Sequence, residues 1–174
     1  MIVVLIGRPC SGKSTLGKSV ASNLNIKYIS SGDIARKLAS EHKDTKELLD
    51  NGHLAPEDIM RDAILSEIKQ YDNMILDGFP RFYDQYKWLL KYTSHHRVVF
   101  MVVDVDVDTA YIRSTERNRS DDGSFAKRNQ FYEENTVEMM KMIIESNRHD
   151  IYTTNSTNVF DNIRILEDII KEKM

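Results

Sequence analysis

The sequence predicts an α/β fold in which helices cover both faces of a parallel five-stranded sheet. Five apolar or β-branched runs of strand length occur along the chain, and stretches of helical character separate them. Strands that alternate with helices pair in parallel, because each crossover helix returns the chain to the same end of the sheet. The strands are predicted at 1–6, 26–29, 73–77, 97–103 and 150–154.

Helices are predicted in the segments between and after these strands. In 55–69 the apolar residues recur on one side, as in a helix that packs against a core. In 125–146 we expect Met139, Met140 and Met142 to pack in the core rather than contact a ligand. The predicted helices are 13–23, 55–69, 82–92, 107–117, 125–146 and 159–172.

The chain is predicted to form a single domain over 1–174. Its 174 residues suffice for one buried core. The sequence contains no internal repeat, low-complexity tract or Pro/Gly-rich linker, which argues against a second domain. We expect two small inserts in this domain, one at about 32–69 and a shorter one at about 113–122.

The composition is that of an ordinary globular protein, with 41% hydrophobic and 29% charged residues. The formal net charge of -3 argues against nonspecific nucleic-acid binding, which needs a basic surface. Apolar runs such as 98–103 are far shorter than the ~20 residues that span a bilayer, and Met1 leads into a strand rather than a secretory signal. Because Cys10 is the only cysteine, we expect no disulfide within the chain and a cytoplasmic protein. From the charge and the short apolar runs we expect neither nucleic-acid nor membrane partners.

The loop GRPCSGKST (7–15) fits the pattern GxxxxGK[ST] and lies between a predicted strand and a predicted helix. Its glycines let the backbone wrap a phosphate chain, and the N–H groups at the helix start point at it. Lys13 would reach the β- and γ-phosphates, and the Ser14 hydroxyl would coordinate Mg²⁺. A tight turn with a chance lysine is the alternative, and the flanking strand and helix disfavour it. The sequence therefore predicts a P-loop NTPase-type nucleotide site.

A second stretch, ILDGFPRFYDQ (75–85), ends an apolar strand with Asp77. A carboxylate at this position beside a phosphate loop holds the Mg²⁺ shell, commonly through water. Asp77 could instead cap a helix. Arg81 follows the turn made by Gly78 and Pro80, and its planar guanidinium suits a bidentate contact with phosphate.

A third stretch, YIRSTERNRSDD (111–122), is rich in arginine. Arg113, Arg117 and Arg119 lie within seven residues of one another, and Arg128 follows shortly afterwards. They could clamp a polyanion, with the neighbouring aspartates orienting the guanidinium groups. A solvated helix end with local ion pairs explains the same composition equally well.

Several motifs, in the same order along the chain, resemble those of nucleoside monophosphate kinases of the adenylate kinase family. GRPCSGKST is similar to the family's phosphate loop, YISSGDIAR (28–36) to its acceptor-site entry, and NGHLAP (51–56) to its Gly-x-Leu-Val-Pro segment. DGFPR (77–81), with Gln85 four residues later, resembles the family's most distinctive string. NRSDD followed by KRN is similar to the end of its lid and the helix behind it.

The resemblance implies a role for each matching residue. The residues that would hold ATP are Cys10, Ser11, Gly12, Lys13, Ser14, Thr15 and Arg113. The residues that would hold the nucleoside monophosphate are Ser31, Arg36, Leu54, Ala55, Gly78, Arg81, Gln85, Arg119 and Arg128. Mg²⁺, the expected cofactor, would be bound by Ser14 and Asp77. The residues that would act in catalysis are Lys13, Arg81, Arg113, Arg119 and Arg128.

The implied activity is transfer of the γ-phosphoryl group from ATP-Mg to a nucleoside monophosphate by a monomeric enzyme. In this enzyme the insert at about 32–69 would be the acceptor-binding insert, and the insert at about 113–122 would be a short lid. AMP is favoured as acceptor because Ser31 and Gln85 match adenylate kinases better than pyrimidine enzymes. A UMP/CMP kinase is the alternative. A P-loop ATPase or nucleotide-binding regulator without transferase activity is a further one, since Cys10 replaces a glycine and Thr109 stands where the family has an arginine.

Overall fold

The computed structural model of the chain describes residues 1–117, 125–154 and 158–174. In these residues it contains a sheet of five strands, and each strand begins and ends within one residue of its predicted run. The strands are β1 (Ile2–Ile6), β2 (Lys27–Ser30), β3 (Met74–Asp77), β4 (Val98–Val103) and β5 (Asp150–Thr154). Neighbouring strands all pair in parallel, so the predicted fold class is confirmed.

The order of the strands in the sheet is β2-β3-β1-β4-β5, with β1 at the centre. Leu5 near the end of β1 is paired with Asp77 at the end of β3, and Ser30 at the end of β2 is paired with the same aspartate. The segments that follow these three strands therefore leave the sheet side by side. Ligands of open α/β sheets bind at this carboxyl edge, where the strand order reverses direction.

Helices connect the strands, and each predicted helix is present. The described helices are α1 (Lys13–Leu24), α2 (Ser31–Glu41), α3 (Lys43–Asp50), α4 (Glu57–Ile68), α5 (Tyr83–Tyr92), α6 (Val107–Arg117), α7 (Phe125–Phe131), α8 (Val137–Ser146) and α9 (Val159–Lys173). Within the described ranges, no helix combines the length and the apolar character that crossing a bilayer requires.

The core consists of two apolar layers, one on each face of the sheet. Strand β1 is buried along its whole length, and its alternate residues belong to different layers. Val3 and Leu5 pack in the layer that includes residues of α1 and α9. Val4 packs in the other layer, with residues of α4, α5 and α8. Met139 and Met140 are buried as predicted, whereas Met142 is 40% exposed, so the core prediction was wrong for Met142.

The sequence did not predict α2 and α3, which fill the first part of the acceptor insert. Helix α2 begins after Ser30, whose side chain accepts a hydrogen bond from the backbone N–H of Asp33 at 3.1 Å. Helix α3 is mostly charged, and Thr45 is its only buried residue. Helix α3 is short and strongly polar, so it contains few of the apolar residues that mark a core helix in the sequence.

The predicted helix 125–146 is interrupted by a π-helical turn at Tyr132–Thr136, between α7 and α8. Such a turn rotates the side chains that follow it and occurs often at functional sites. Here the turn directs the buried Thr136 hydroxyl to the backbone carbonyl of Arg81, to which it donates at 2.7 Å. The turn thereby fixes the loop after β3.

We expect the substitution Thr136→Val to lower the free energy of unfolding by about 1 to 2 kcal/mol, because it leaves the Arg81 carbonyl without this donor. Urea denaturation measures the loss. The control is Thr115→Val on the exposed side of α6, which should change stability by less than about 0.5 kcal/mol. Equal losses in the two variants would show that the bond to Arg81 contributes nothing.

Candidate functional site

A cleft of about 670 Å³ lies at the carboxyl edge of the sheet. Every predicted site residue that the structure describes lines it. These residues are Cys10, Ser11, Gly12, Lys13, Ser14, Thr15, Ser31, Arg36, Leu54, Ala55, Asp77, Gly78, Arg81, Gln85, Arg113 and Arg128. Arg117, which belongs to the arginine-rich stretch but has no role implied by the resemblance, lines the cleft as well. Arg119 and the second half of the predicted lid lie outside the described residues.

The loop between β1 and α1 forms one wall of the cleft and is folded around Lys13. The Lys13 Nζ donates to the carbonyls of Gly7 and Arg8 at 2.7 and 2.8 Å and to the Ser11 hydroxyl at 3.2 Å. A side chain at Gly7 would place its Cβ 2.4 Å from the carbonyl oxygen of Val103, so only glycine fits there. The loop therefore holds a cation at the start of α1, where backbone N–H groups also attract anions.

The pKa of Lys13 is lowered to about 8, chiefly by burial; Asp77 opposes this shift, and the cations Arg81 and Arg117 contribute to it. The ammonium group is thus less stable in the empty cleft than in water. A phosphate chain in the loop would add negative charge beside it and raise this pKa again.

Asp77 lies on the floor of the cleft and is only 4% exposed. Its Oδ2 accepts hydrogen bonds from the Ser14 hydroxyl at 2.7 Å and the Tyr28 hydroxyl at 2.6 Å. Asp77 is not a helix cap, because α5 begins after Phe82. A hydroxyl beside a carboxylate at the end of a phosphate loop fits a Mg²⁺ ion that keeps phosphate and water as its other ligands.

Tyr28 was not predicted from the sequence; in the same stretch only Ser31 and Arg36 were. Burial, and next the Asp77 carboxylate, raise the pKa of the Tyr28 phenol, so it keeps its proton at neutral pH. The signal that could have found it is a tyrosine in β2, next to the strand that ends in Asp77. That signal requires the strand order, which the sequence does not provide.

On the other side of the cleft, Arg81 and Ser31 surround the carbonyl oxygen of Gly78. This oxygen accepts from Arg81 Nε and from the Ser31 hydroxyl, each at 2.7 Å, and Arg81 also donates to the Ser31 hydroxyl at 3.2 Å. Gly78 has a positive φ of 76°, and an added Cβ would lie 2.7 Å from the Ser31 oxygen. The guanidinium is therefore oriented by its neighbours before any ligand binds.

Gln85 is buried and connects the loop after β3 to the start of α4. Its Oε1 accepts from the backbone N–H of Arg81 at 2.7 Å, and its Nε2 donates to Glu57 at 2.8 Å. Because one partner is a donor and the other a carboxylate, the orientation of the amide is determined. Glu57, at the start of α4, was not found from the sequence.

Arginines from distant segments complete the cleft. Arg113 donates to the Ser11 carbonyl at 3.2 Å, and Arg36 is paired with Asp33. Arg8, also missed by the sequence analysis, joins the phosphate loop to α7 and the π-helical turn. It contacts Asn129 Oδ1 and Glu133 Oε1, both at 2.9 Å.

Comparison with known proteins identifies the family of the chain. The family model described as adenylate kinase matches residues 5–149. The chain belongs to the adenylate kinase family. The family predicted from the motifs, and with it the class of nucleoside monophosphate kinases, is confirmed.

The relatives of the chain differ in identity and in the share of their length that it matches. The adenylate kinase of Encephalitozoon cuniculi is 32% identical over 124 residues, which cover 69% of this chain and 68% of that protein. The adenylate kinase of Petrotoga mobilis is 34% identical over 124 residues, or 68% of this chain and 58% of that protein. The adenylate kinase of Natronomonas pharaonis is 26% identical over 174 aligned residues, which cover 91% of this chain and 82% of that protein.

We expect ATP binding to take up close to one proton at about pH 9, where Lys13 of the free protein is mostly neutral. At about pH 6.5 Lys13 is already charged, and its contribution should vanish. Calorimetry in two buffers of different ionisation enthalpy measures the uptake. Lys13→Gln, which cannot take up this proton, is the control. Identical binding enthalpies in both buffers at the higher pH would contradict the shifted pKa.

We expect ATP to slow alkylation of Cys10 by iodoacetamide by at least about tenfold, because this residue lines the cleft within the phosphate loop. It is the only cysteine of the chain, so mass spectrometry of the whole protein follows the reaction directly. Adenosine, which lacks phosphates, is the control ligand and should protect far less. Equal protection by both ligands would mean that phosphate does not occupy the loop.

Proposed function

We propose that this chain transfers the γ-phosphoryl group of ATP to AMP and so forms two molecules of ADP. One observation carries the proposal: a phosphate loop and guanidinium groups from separate segments line the same cleft in a chain of the adenylate kinase family. The cleft volume of about 670 Å³ lies in the range of small-molecule sites.

On the donor side, the backbone of Cys10 to Thr15 would wrap the phosphates of ATP, with Lys13 at the β- and γ-phosphates. Lys13 is already held inside the loop by the carbonyls of Gly7 and Arg8. Arg113 bonds the Ser11 carbonyl, which places its guanidinium beside the same loop.

Ser14 and Asp77 would hold Mg²⁺, which fits their short contact at 2.7 Å. When held by these two residues, Mg²⁺ would supply positive charge that offsets the negative charge developing on the phosphates during transfer. Among the described residues, no group of three or more His, Cys, Asp or Glu side chains could enclose a metal ion. The phosphates would therefore supply part of the coordination, as is usual for Mg²⁺ with nucleotides.

On the acceptor side, Arg81 and Arg36 would bind the phosphate of AMP. Arg81 is oriented toward the cleft by Gly78 and Ser31, so little conformational entropy is lost when it binds. The base would lie against Leu54 and Ala55, close to the amide of Gln85.

The chemistry requires positioning and positive charge more than a base. The attacking group is a phosphate oxygen that is ionised at neutral pH, so no side chain has to remove a proton from it. Arg113, Arg128 and Arg119 would stabilise the phosphoryl group in transfer, although Arg119 lies outside the described residues. Closure of the acceptor insert (32–69) and the short lid (113–122) would exclude water and prevent hydrolysis.

A pyrimidine monophosphate kinase is the second candidate and is not favoured. The relatives reported above are named adenylate kinases, and Ser31 and Gln85 point to the same base. The monomeric state and the cytoplasmic location stay predictions, and gel filtration would test the first of them.

The deciding experiment offers ATP-Mg with AMP, CMP, UMP, GMP and their deoxy forms to the purified protein. We expect ADP from AMP, and we expect Arg81→Ala to reduce kcat by on the order of 10³ without loss of the folded state. Arg148→Ala, at an exposed position outside the cleft lining, is the matched control and should retain activity. Conversion of CMP or UMP but not AMP would establish the pyrimidine enzyme. Inorganic phosphate without a diphosphate product would establish an ATPase.

A further inference from the structure

Two hydroxyl groups hold the same oxygen of the buried carboxylate in the cleft. Ser14 and Tyr28 both donate to Asp77 Oδ2, at 2.7 and 2.6 Å. Ser14 belongs to the phosphate loop, whereas Tyr28 belongs to β2 and is separated from Asp77 by 49 positions along the chain. The motif GxxxxGK[ST] explains the first hydroxyl but not the second.

The ring of Tyr28 is held in place by α1. A Cβ at Gly17 would lie 2.7 Å from Tyr28 Cε2, so the ring lies directly against the glycine backbone. On the same helix, Lys18 Nζ lies 5.7 Å from the centre of the ring. The packing of the ring against α1 therefore helps to direct the hydroxyl at Asp77.

The Ser14 hydroxyl would have one task that Tyr28 does not share. Besides its bond to the carboxylate, it would bind Mg²⁺. Tyr28 bonds only the carboxylate, and its ring packs against Gly17. The phenol can keep the carboxylate in one orientation whether or not Ser14 is engaged.

We infer that Tyr28 is a positioning residue for the metal–nucleotide complex: its hydroxyl orients the Asp77 carboxylate toward the Mg²⁺ shell, alongside the Ser14 hydroxyl that would bind the ion. The inference rests on the proposed function only in that the cleft binds ATP-Mg. Partners that orient metal-binding carboxylates typically change metal affinity by 10- to 100-fold. Tyr28 should therefore matter for the metal-dependent part of ATP binding and not for the metal-free part.

The test is the variant Tyr28→Phe, which keeps the ring against Gly17 and removes only the hydroxyl. Calorimetry gives the dissociation constant of ATP with excess Mg²⁺ and with EDTA, for the wild type and the variant. We expect the variant to bind ATP about tenfold more weakly with Mg²⁺ and within about twofold of the wild type with EDTA. Tyr92→Phe, at a partly exposed tyrosine outside the cleft lining, is the matched control and should change neither constant.

Three results would overturn the inference. Unchanged constants in both conditions would show that the hydroxyl has no effect on the metal. Equal losses with Mg²⁺ and with EDTA would show a structural role, and thermal unfolding would identify it. A wild type that binds ATP no more tightly with Mg²⁺ than with EDTA would remove the metal site itself. A wild type that binds ATP-Mg but does not phosphorylate AMP would instead contradict the proposed function and leave this test valid.

Discussion

The parallel pairing of β1 with β3 is the constraint on which the site depends. It sets Leu5 opposite Asp77, so the phosphate loop after β1 and the carboxylate that ends β3 lie next to each other. The pairing of β2 with β3 then brings Ser30, and hence Ser31, to the same edge. A shift of one residue in the first register would move Asp77 to the opposite face of the sheet and separate it from Ser14.

The cleft collects cations that a nucleotide pair would neutralise. Two lysines, Lys13 and Lys18, and five arginines line it, and Asp77 is buried in the same cleft. The lowered pKa of Lys13 reports the electrostatic cost of this arrangement in the free protein. Stability given up at a binding site is recovered when the ligand supplies the missing charge. We therefore expect the phosphates of a bound nucleotide to pair with these cations.

The sequence predicted the features that depend on local pattern and missed those that depend on contacts between distant segments. The strands follow from apolar runs, and the phosphate loop follows from its own nine letters. Tyr28, Glu57 and Arg8 have no local signature, because each acts on a residue 28 or more positions away. The π-helical turn at Tyr132–Thr136 was not predicted either, because nothing in its sequence YEENT distinguishes a π-helical turn from an α-helical one.

Helix α7 contacts both the phosphate loop and the acceptor insert. Arg8 joins it to the phosphate loop through Asn129, while Lys127 on the same helix donates to the Asn51 carbonyl of the acceptor insert at 3.3 Å. The side chain of Lys127 also lies against Gly52, where an added Cβ would be 3.2 Å away. Arg128 lines the cleft between these two anchors. A movement of the acceptor insert must therefore displace α7 or break the contact with Lys127, and either event changes the surroundings of Arg128.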